Sequence, residues 1–226
     1  MNKRIEFYEW STGVYREKLR SSELTTQHSS SLRYNVFKDG LEQLIARYSA
    51  GESVLRMKES LPRVIGEFYS LCSVGADMLA LSSLDDYTLV LWLVSLSILL
   101  EADNQEWDRL TAALSFAKRD RIIDRLVAVR DRHSEITTAI LFPKPYAGLD
   151  LAVKENSLER EQDMKRFLDG YYGQMAQTYW HDTHPPHGKG FFGYWCFELA
   201  AIARGYAIPT DKFRDHPLFP RDLLMP

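Results

Sequence analysis

In the stretch Leu84-Asp85-Asp86-Tyr87-Thr88-Leu89-Val90-Leu91-Trp92-Leu93-Val94-Ser95-Leu96-Ser97-Ile98-Leu99-Leu100-Glu101, the segment from Tyr87 to Leu100 is the longest apolar run of the chain. Asp85 and Asp86 frame it on one side and Glu101 on the other. The run falls short of the ~20 residues that a bilayer span requires. It therefore reads as a buried central helix over Leu84 to Leu100, and its acidic start suits a helix N-terminus, where the backbone dipole is positive.

Outward from this segment, nearly every long stretch repeats apolar residues at helical spacing, and period-2 alternation is hard to find. The expectation is an all-α fold: a helical bundle of roughly eight to ten antiparallel helices in two packed layers, with an extended Pro-rich C-terminal tail. Upstream, a first helix is expected from about Ile5 to Leu19, after which Ser21-Ser22 and Ser29-Ser30-Ser31 weaken helicity. A second runs from Tyr34 to Ser49 with Leu41, Leu44, Ile45 and Tyr48 as its stripe, and Gly51 is placed as a left-handed stop. A third follows Ser53 with Val64, Ile65, Phe68 and Leu71 facing the core. There, Pro62 either kinks the helix or starts a new one capped by Ser60.

Downstream, helices are expected over Gln105 to Phe116 and Arg119 to Arg132. Phe142-Pro143-Lys144-Pro145 reads as a rigid connector. That connector is the expected boundary between an N-terminal helical domain, residues 1–142, and a C-terminal one, residues 143–226. Beyond it come helices near Ala147 to Lys154, Ser157 to Tyr179 and Phe192 to Tyr206, then a tail locked by Pro209, Pro217 and Pro220. Leu91-Trp92 with Leu96 and Leu99 weakly echoes Tyr194-Trp195 with Leu199 and Ile202, an echo too degenerate to establish a repeat.

The 226 residues carry a formal net charge of −3, which argues against a general nucleic-acid binder because the phosphate track demands clustered Lys and Arg. Two cysteines, Cys72 and Cys196, sit in apolar helical patterns and read as reduced, packed thiols of a reducing compartment. No export signal is visible after Met1, and a cytoplasmic protein without membrane association is expected.

The sharpest enzymatic temptation is His181-Asp182-Thr183-His184-Pro185-Pro186-His187. Its three imidazoles and one carboxylate suggest zinc or a di-metal centre, and with it a metal-dependent hydrolase. Pro185-Pro186 forbids the helix that would present two histidines on one face, so a structured surface loop is the better reading. No nucleophile elbow or phosphate-cradling glycine loop occurs, and Gly188-Lys189-Gly190 lacks the remaining residues of a P-loop. Glu198, surrounded in sequence by apolar residues, is expected to be buried and paired with an arginine rather than to act as a catalytic acid. Trp92, Trp107, Trp180 and Trp195 read first as packing residues.

Charge is unevenly spread. Between Ala76 and Leu110, seven carboxylates (Asp77, Asp85, Asp86, Glu101, Asp103, Glu106 and Asp108) face a single basic residue, Arg109. This is either a solvated set of helix ends or an acidic surface matched to a basic partner, where complementary potentials speed encounter.

Two further stretches carry a resemblance. Gly193-Tyr194-Trp195-Cys196-Phe197-Glu198-Leu199-Ala200-Ala201, continuing to Asp215-His216-Pro217-Leu218-Phe219-Pro220-Arg221-Asp222-Leu223, resembles the C-terminal part of PoNi-type immunity proteins, the partners of polymorphic nuclease toxins. The tail departs mildly from the family pattern: Arg214 precedes Asp215, and Leu218-Phe219 replaces a pair of aromatics. Leu44-Ile45-Ala46-Arg47-Tyr48-Ser49-Ala50-Gly51, the run Leu91 to Leu100, and Tyr171-Tyr172 through Trp180 and Asp182 are similar to the same family, in the same order.

The resemblance implies an α-helical protein that binds a cognate DNase effector, often one delivered by type VI secretion, and protects the producing cell. It brings no catalytic residue, metal or cofactor, and its motifs look structural. The expected function is stoichiometric inhibition, either at the toxin's substrate groove or at its dimerisation surface. The expected contacts are Asp85, Asp86, Glu101, Asp103, Glu106 and Asp108, with Trp107 and Trp180 as aromatic hot spots. Neither oligomeric state nor the identity of the toxin can be read from the chain.

Overall fold

The computed structural model describes residues 1–20, 25–74, 79–114, 120–153, 159–184 and 190–224. Among them are nine α-helices and no strand: α1 (Asn2–Leu19), α2 (Thr26–Ser49), α3 (Val54–Ser73), α4 (Leu84–Leu99), α5 (Asn104–Ala113), α6 (Arg121–Ala128), α7 (Pro143–Val153), α8 (Arg160–Gln174) and α9 (Phe197–Gly205). None is long and apolar enough to cross a membrane. The chain divides into two units, Met1–Ala80 with Leu100–Phe116 and Asp182–Gly193, and Leu81–Leu99 with Ala117–His181 and Tyr194–Pro226.

In the first unit α1 packs on α2, α2 on α3 and α3 on α5. The amphipathic pattern of α3 places Val64, Ile65, Phe68 and Leu71 inward, all fully buried as expected. Phe68 meets Phe37 of α2 with ring centroids 5.1 Å apart, a tilted pair of the kind that adds to area burial. Pro62 neither breaks nor restarts α3. It lies on the exposed face, where losing one backbone hydrogen bond is least costly, and Ser53 caps the whole helix by accepting from the Arg56 N–H.

Helix α2 begins a full two turns earlier than the serine-rich sequence suggests. Thr25 caps it, and the Ser30 and Ser31 hydroxyls bond back to the Thr26 and Gln27 carbonyls at 3.0 Å, so serines expected to weaken the helix are absorbed into it. Gly51 ends it with φ +81, while Glu52 N–H reaches Arg47 O and Gly51 N–H reaches Tyr48 O. This pair of bonds satisfies carbonyls that the helix end leaves open and requires a residue at ease in the left-handed region.

In the second unit α4 packs on α9 and α6, α6 on α9 and α7, and α7 on α8. Helix α4 is apolar on every side, and it is buried on every side from Asp86 to Leu99. At its C-terminus Arg204 Nη1 donates to Leu99 O at 2.9 Å, placing a cation at the negative end of the dipole. Asp120 ties α6 in place: its buried carboxylate accepts from Ile122 N–H, Ile123 N–H, Leu141 N–H and the Tyr87 hydroxyl, at 2.7 to 3.1 Å. Asp150, also buried, bridges Arg121 at 3.0 Å and Arg125 at 2.6 Å.

Further boundaries differ from the sequence reading. Pro143 and Pro145, expected in a rigid connector, form the first turn of α7, where a missing N–H costs nothing because the first amides of a helix have no partner. Helix α8 ends at Gln174, and turns continue to Asp182. Helix α9 begins only at Phe197, because Gly193 takes φ +130 and Cys196 N–H is drawn to Leu218 O at 2.9 Å. Trp195 therefore precedes its helix whereas Trp92 lies inside one, so the weak echo between the two segments has no structural counterpart. The proline-rich tail, expected as an extended strap, passes through turns and closes in a 3-10 helix at Arg221–Leu224 that buries Leu223.

Candidate partner-binding site

The acidic residues singled out above fall into both units. Glu101, Asp103, Glu106, Trp107 and Asp108 belong to the first, and Asp85, Asp86 and Trp180 to the second.

In the first unit the carboxylates gather around the N-terminus of α5. Asp103 is its N-cap, accepting from Glu106 N–H at 2.8 Å, while Glu106 accepts from Asp103 N–H at 2.9 Å. This reciprocal box satisfies amides that an unformed helix would leave to water, and the dipole favours the negative charge placed there. Trp107, Leu110 and Ala113 repeat at helical spacing on the buried side, and Asp108 is exposed on the other. Glu101 is exposed and pairs with Lys58 at 3.2 Å, a surface bridge worth at most ~1 kcal/mol. The segment thus displays Glu101, Asp103 and Asp108 to solvent and commits Trp107, only 6% exposed, to the core.

In the second unit Asp85 is half-buried in the first turn of α4, and its Oδ1 accepts from Tyr179 N–H at 3.0 Å, one residue before Trp180. Asp86 is buried. Trp180 is 1% exposed and packs against Trp92, with centroids 5.5 Å apart, and against Tyr171. Both indoles named as hot spots thus have a packing role that accounts for them.

Glu198 departs from expectation. It is fully buried, but its neighbours are the Tyr146 hydroxyl at 3.3 Å, the Tyr171 hydroxyl and the Cys196 thiol, and no arginine pairs with it among the described residues. Desolvation pushes its pKa up to about 7, against the opposing pull of backbone and these hydroxyl and thiol donors. Its Oε2 has no hydrogen-bond partner among the described residues. A carboxyl so enclosed cannot meet a substrate and serves as a polar member of the core. The positions that face it on α7 and α8 and before α9 are Tyr146, Tyr171 and Cys196, which offer hydroxyl and thiol groups in place of the expected guanidinium.

The histidine loop falls partly outside the described residues, which exclude Pro185, Pro186, His187, Gly188 and Lys189. His181 stacks on Tyr172 with centroids 4.1 Å apart. Among the described residues no group of three or more His, Cys, Asp or Glu stands together as a metal site. Both cysteines are free thiols, and burial pushes Cys72 up to about 12, away from nucleophilic use.

What sequence reasoning missed is a cluster of arginines in the first unit. Arg16 of α1, Arg33 of α2 and Arg63 of α3 line a common cavity, and Arg109 of α5 stands beside it. No signal along the chain marks this cluster, because its members lie up to 93 positions apart and each looks like an ordinary helix-surface cation.

Three comparisons bear on identity. Residues 15–112 match the family described as PoNe immunity protein (PoNi), N-terminal, and residues 118–223 match PoNe immunity proteins (PoNi), C-terminal. The crystal structure of protein PA2201 from Pseudomonas aeruginosa is similar with a TM-score of 0.73 and 17% identity, over 93% of this chain and 79% of that one. At that identity the likeness shows a shared fold and nothing finer. No curated protein matches the chain.

Proposed function

The chain belongs to the PoNe immunity protein (PoNi) family, and from that premise we propose that it protects a bacterial cell by binding its cognate PoNe nuclease toxin in a stoichiometric complex. An immunity protein works by occupancy and not by turnover. The match of both family parts in chain order carries this reading. A fully enclosed Glu198 agrees with it.

The contact surface in this proposal is the acidic N-terminal end of α5, with Glu101, Asp103 and Asp108 facing solvent and Glu106 beside them. A nuclease must present positive charge to hold a phosphate backbone, so clustered carboxylates compete for the same surface and steer the encounter. Within the second unit, Asp85 and Asp86 at the start of α4 form a separate acidic element of the same proposal. Trp107 supports the α5 surface from within, and Trp180 packs within the second unit, next to the Tyr179 that bonds Asp85. The protein acts in the cytoplasm, where the nuclease meets DNA, and the toxin reaches it from a neighbouring cell through a contact-dependent route such as type VI secretion.

The test is co-expression in the bacterial cytoplasm. Growth arrested by the cognate nuclease should recover when this chain is produced with it, and the two should co-purify at one to one. Continued arrest with abundant, folded immunity protein would end the proposal.

A further inference from the structure

The arginine cluster has a charge surplus that the fold does not use. A cavity of about 240 Å³ opens between α1, α2 and α3, with Arg16, Arg33, Arg63, Glu67, Ser70 and Gly66 in its walls. Arg16 and Arg63 both turn to Glu67, with Arg16 Nε donating to Oε1 at 3.1 Å and Arg63 Nη1 lying 3.4 Å from the same oxygen. Arg33 has no such partner. Its Nη1 donates to Ser70 Oγ and its Nε lies 3.4 Å from Ser29 Oγ, both neutral hydroxyls, and no carboxylate pairs with it among the described residues.

Arg109 adds a fourth guanidinium. It lies over the Tyr69 ring, 5.6 Å from the centroid, and forms no ion pair among the described residues. Its Nη1 lies 3.7 Å from where a Cβ on Gly66 would stand. That position would be in ordinary van der Waals contact, so packing does not demand glycine there. A mid-helix glycine costs about 1 kcal/mol relative to alanine, and at residue 66 its consequence is open volume beneath the guanidinium groups. Burial lowers the pKa of Arg63, Glu67 opposes that, and Arg16 and Arg47 push it lower still, as expected where positive charge is crowded.

We propose that the cavity between α1, α2 and α3 is an oxyanion-binding site, which takes a phosphate or carboxylate group on the guanidinium fork of Arg33, with Arg109 adding positive charge from beside Gly66. Planar guanidinium groups bind such oxygens in paired, charge-assisted hydrogen bonds, and the partial burial of Arg33 strengthens those it makes. The volume admits the anionic group with a short part of whatever carries it. The anion has two possible sources: a free oxyanion, or an acidic side chain of a protein seated on these helices. The inference stands on the cavity and its charges and does not depend on the immunity reading.

The test is calorimetric titration of the full chain, at low ionic strength, with inorganic phosphate and separately with acetate, using chloride as the reference anion. Saturable one-to-one binding of phosphate or acetate is expected. Affinity should fall about tenfold in Arg33→Gln and severalfold in Arg109→Gln. Arg109→Gln removes an exposed side chain and should keep the parental circular dichroism and melting temperature, so it carries the test even if Arg33→Gln folds poorly. With the toxin complex in hand, displacement of toxin by excess phosphate identifies a toxin carboxylate as the occupant, and undisturbed phosphate binding to the complex identifies a free oxyanion. Absence of saturable binding by either anion, or equal affinity in the parent and Arg109→Gln, would overturn the proposal.

Discussion

Gly205, the last residue of α9, stands against Val129 at the end of α6 with no room between them: a Cβ built on Gly205 would lie 2.6 Å from Val129 Cγ1 and 2.9 Å from its Cβ. Val129 is β-branched and has few rotamers into which to retreat. Alanine at a helix end ordinarily stabilises by up to ~1 kcal/mol relative to glycine, but here overpacking works against it by about 1–3 kcal/mol. Gly205→Ala should therefore lower the urea midpoint, and adding Val129→Ala should return part of the loss. A Gly205→Ala protein as stable as the parent would mean that α6 and α9 do not approach this closely.

The enclosed carboxyl of Glu198 makes stability depend on pH. Its folded pKa is raised from 4.5 to about 7, so the folded state holds a proton that the unfolded chain releases first. The contribution is fully present below about 4.5 and declines as pH rises through about 7, after which it is flat. Glu198→Gln removes the ionisation while keeping the shape. The variant should thus gain on the parent between pH 5 and pH 8, by on the order of 3 kcal/mol. Urea unfolding at the two pH values checks this, and an equal difference at both would show that Glu198 titrates normally.

The parts of the fold legible in the sequence are those where one physical effect dominates locally. Helix α4 is apolar all round, Gly51 sits where a helix must stop, and the stripe of α3 has helical spacing. Where two local effects compete, tertiary context decides. Ser30 and Ser31 bond back into α2 instead of ending it, Pro143 and Pro145 begin a helix instead of separating two, and Gly193 delays α9 despite the apolar pattern of Tyr194 and Trp195. The acidic residues around α5 were visible because they lie close together along the chain. Arg16, Arg33, Arg63 and Arg109 were not, because only the packing of four helices brings them near one another.

Asp103 carries two roles that one substitution separates. As N-cap it satisfies the Glu106 N–H, and as a carboxylate it adds to the acidic field. Asp103→Ser keeps a capping oxygen and removes the charge, whereas Asp103→Ala removes both. Asp103→Ala should lower stability by about 1 kcal/mol and Asp103→Ser by much less. Toxin association should slow equally in the two variants, as read by stopped-flow fluorescence. If stability falls equally in both, the capping geometry at α5 is not what holds this end of the helix.

Charge reversal at Asp108 and Glu101 tests the acidic surface without touching the cap. Asp108 is exposed on α5, and Glu101 pairs with the solvent-facing Lys58, so Asp108→Lys with Glu101→Lys should leave stability within about 1 kcal/mol of the parent. Long-range attraction between exposed charges acts mainly on the rate of encounter and is screened over about 8 Å at physiological ionic strength. The double variant should accordingly associate with the toxin at least about tenfold more slowly at low salt, with a dissociation rate little changed. Raising salt slows the parent towards the variant, so the plot of log association rate against log salt should be steep for the parent and shallow for the variant. Parallel lines would place the toxin elsewhere on the molecule and leave rescue of growth, a separate measurement, to decide the immunity reading.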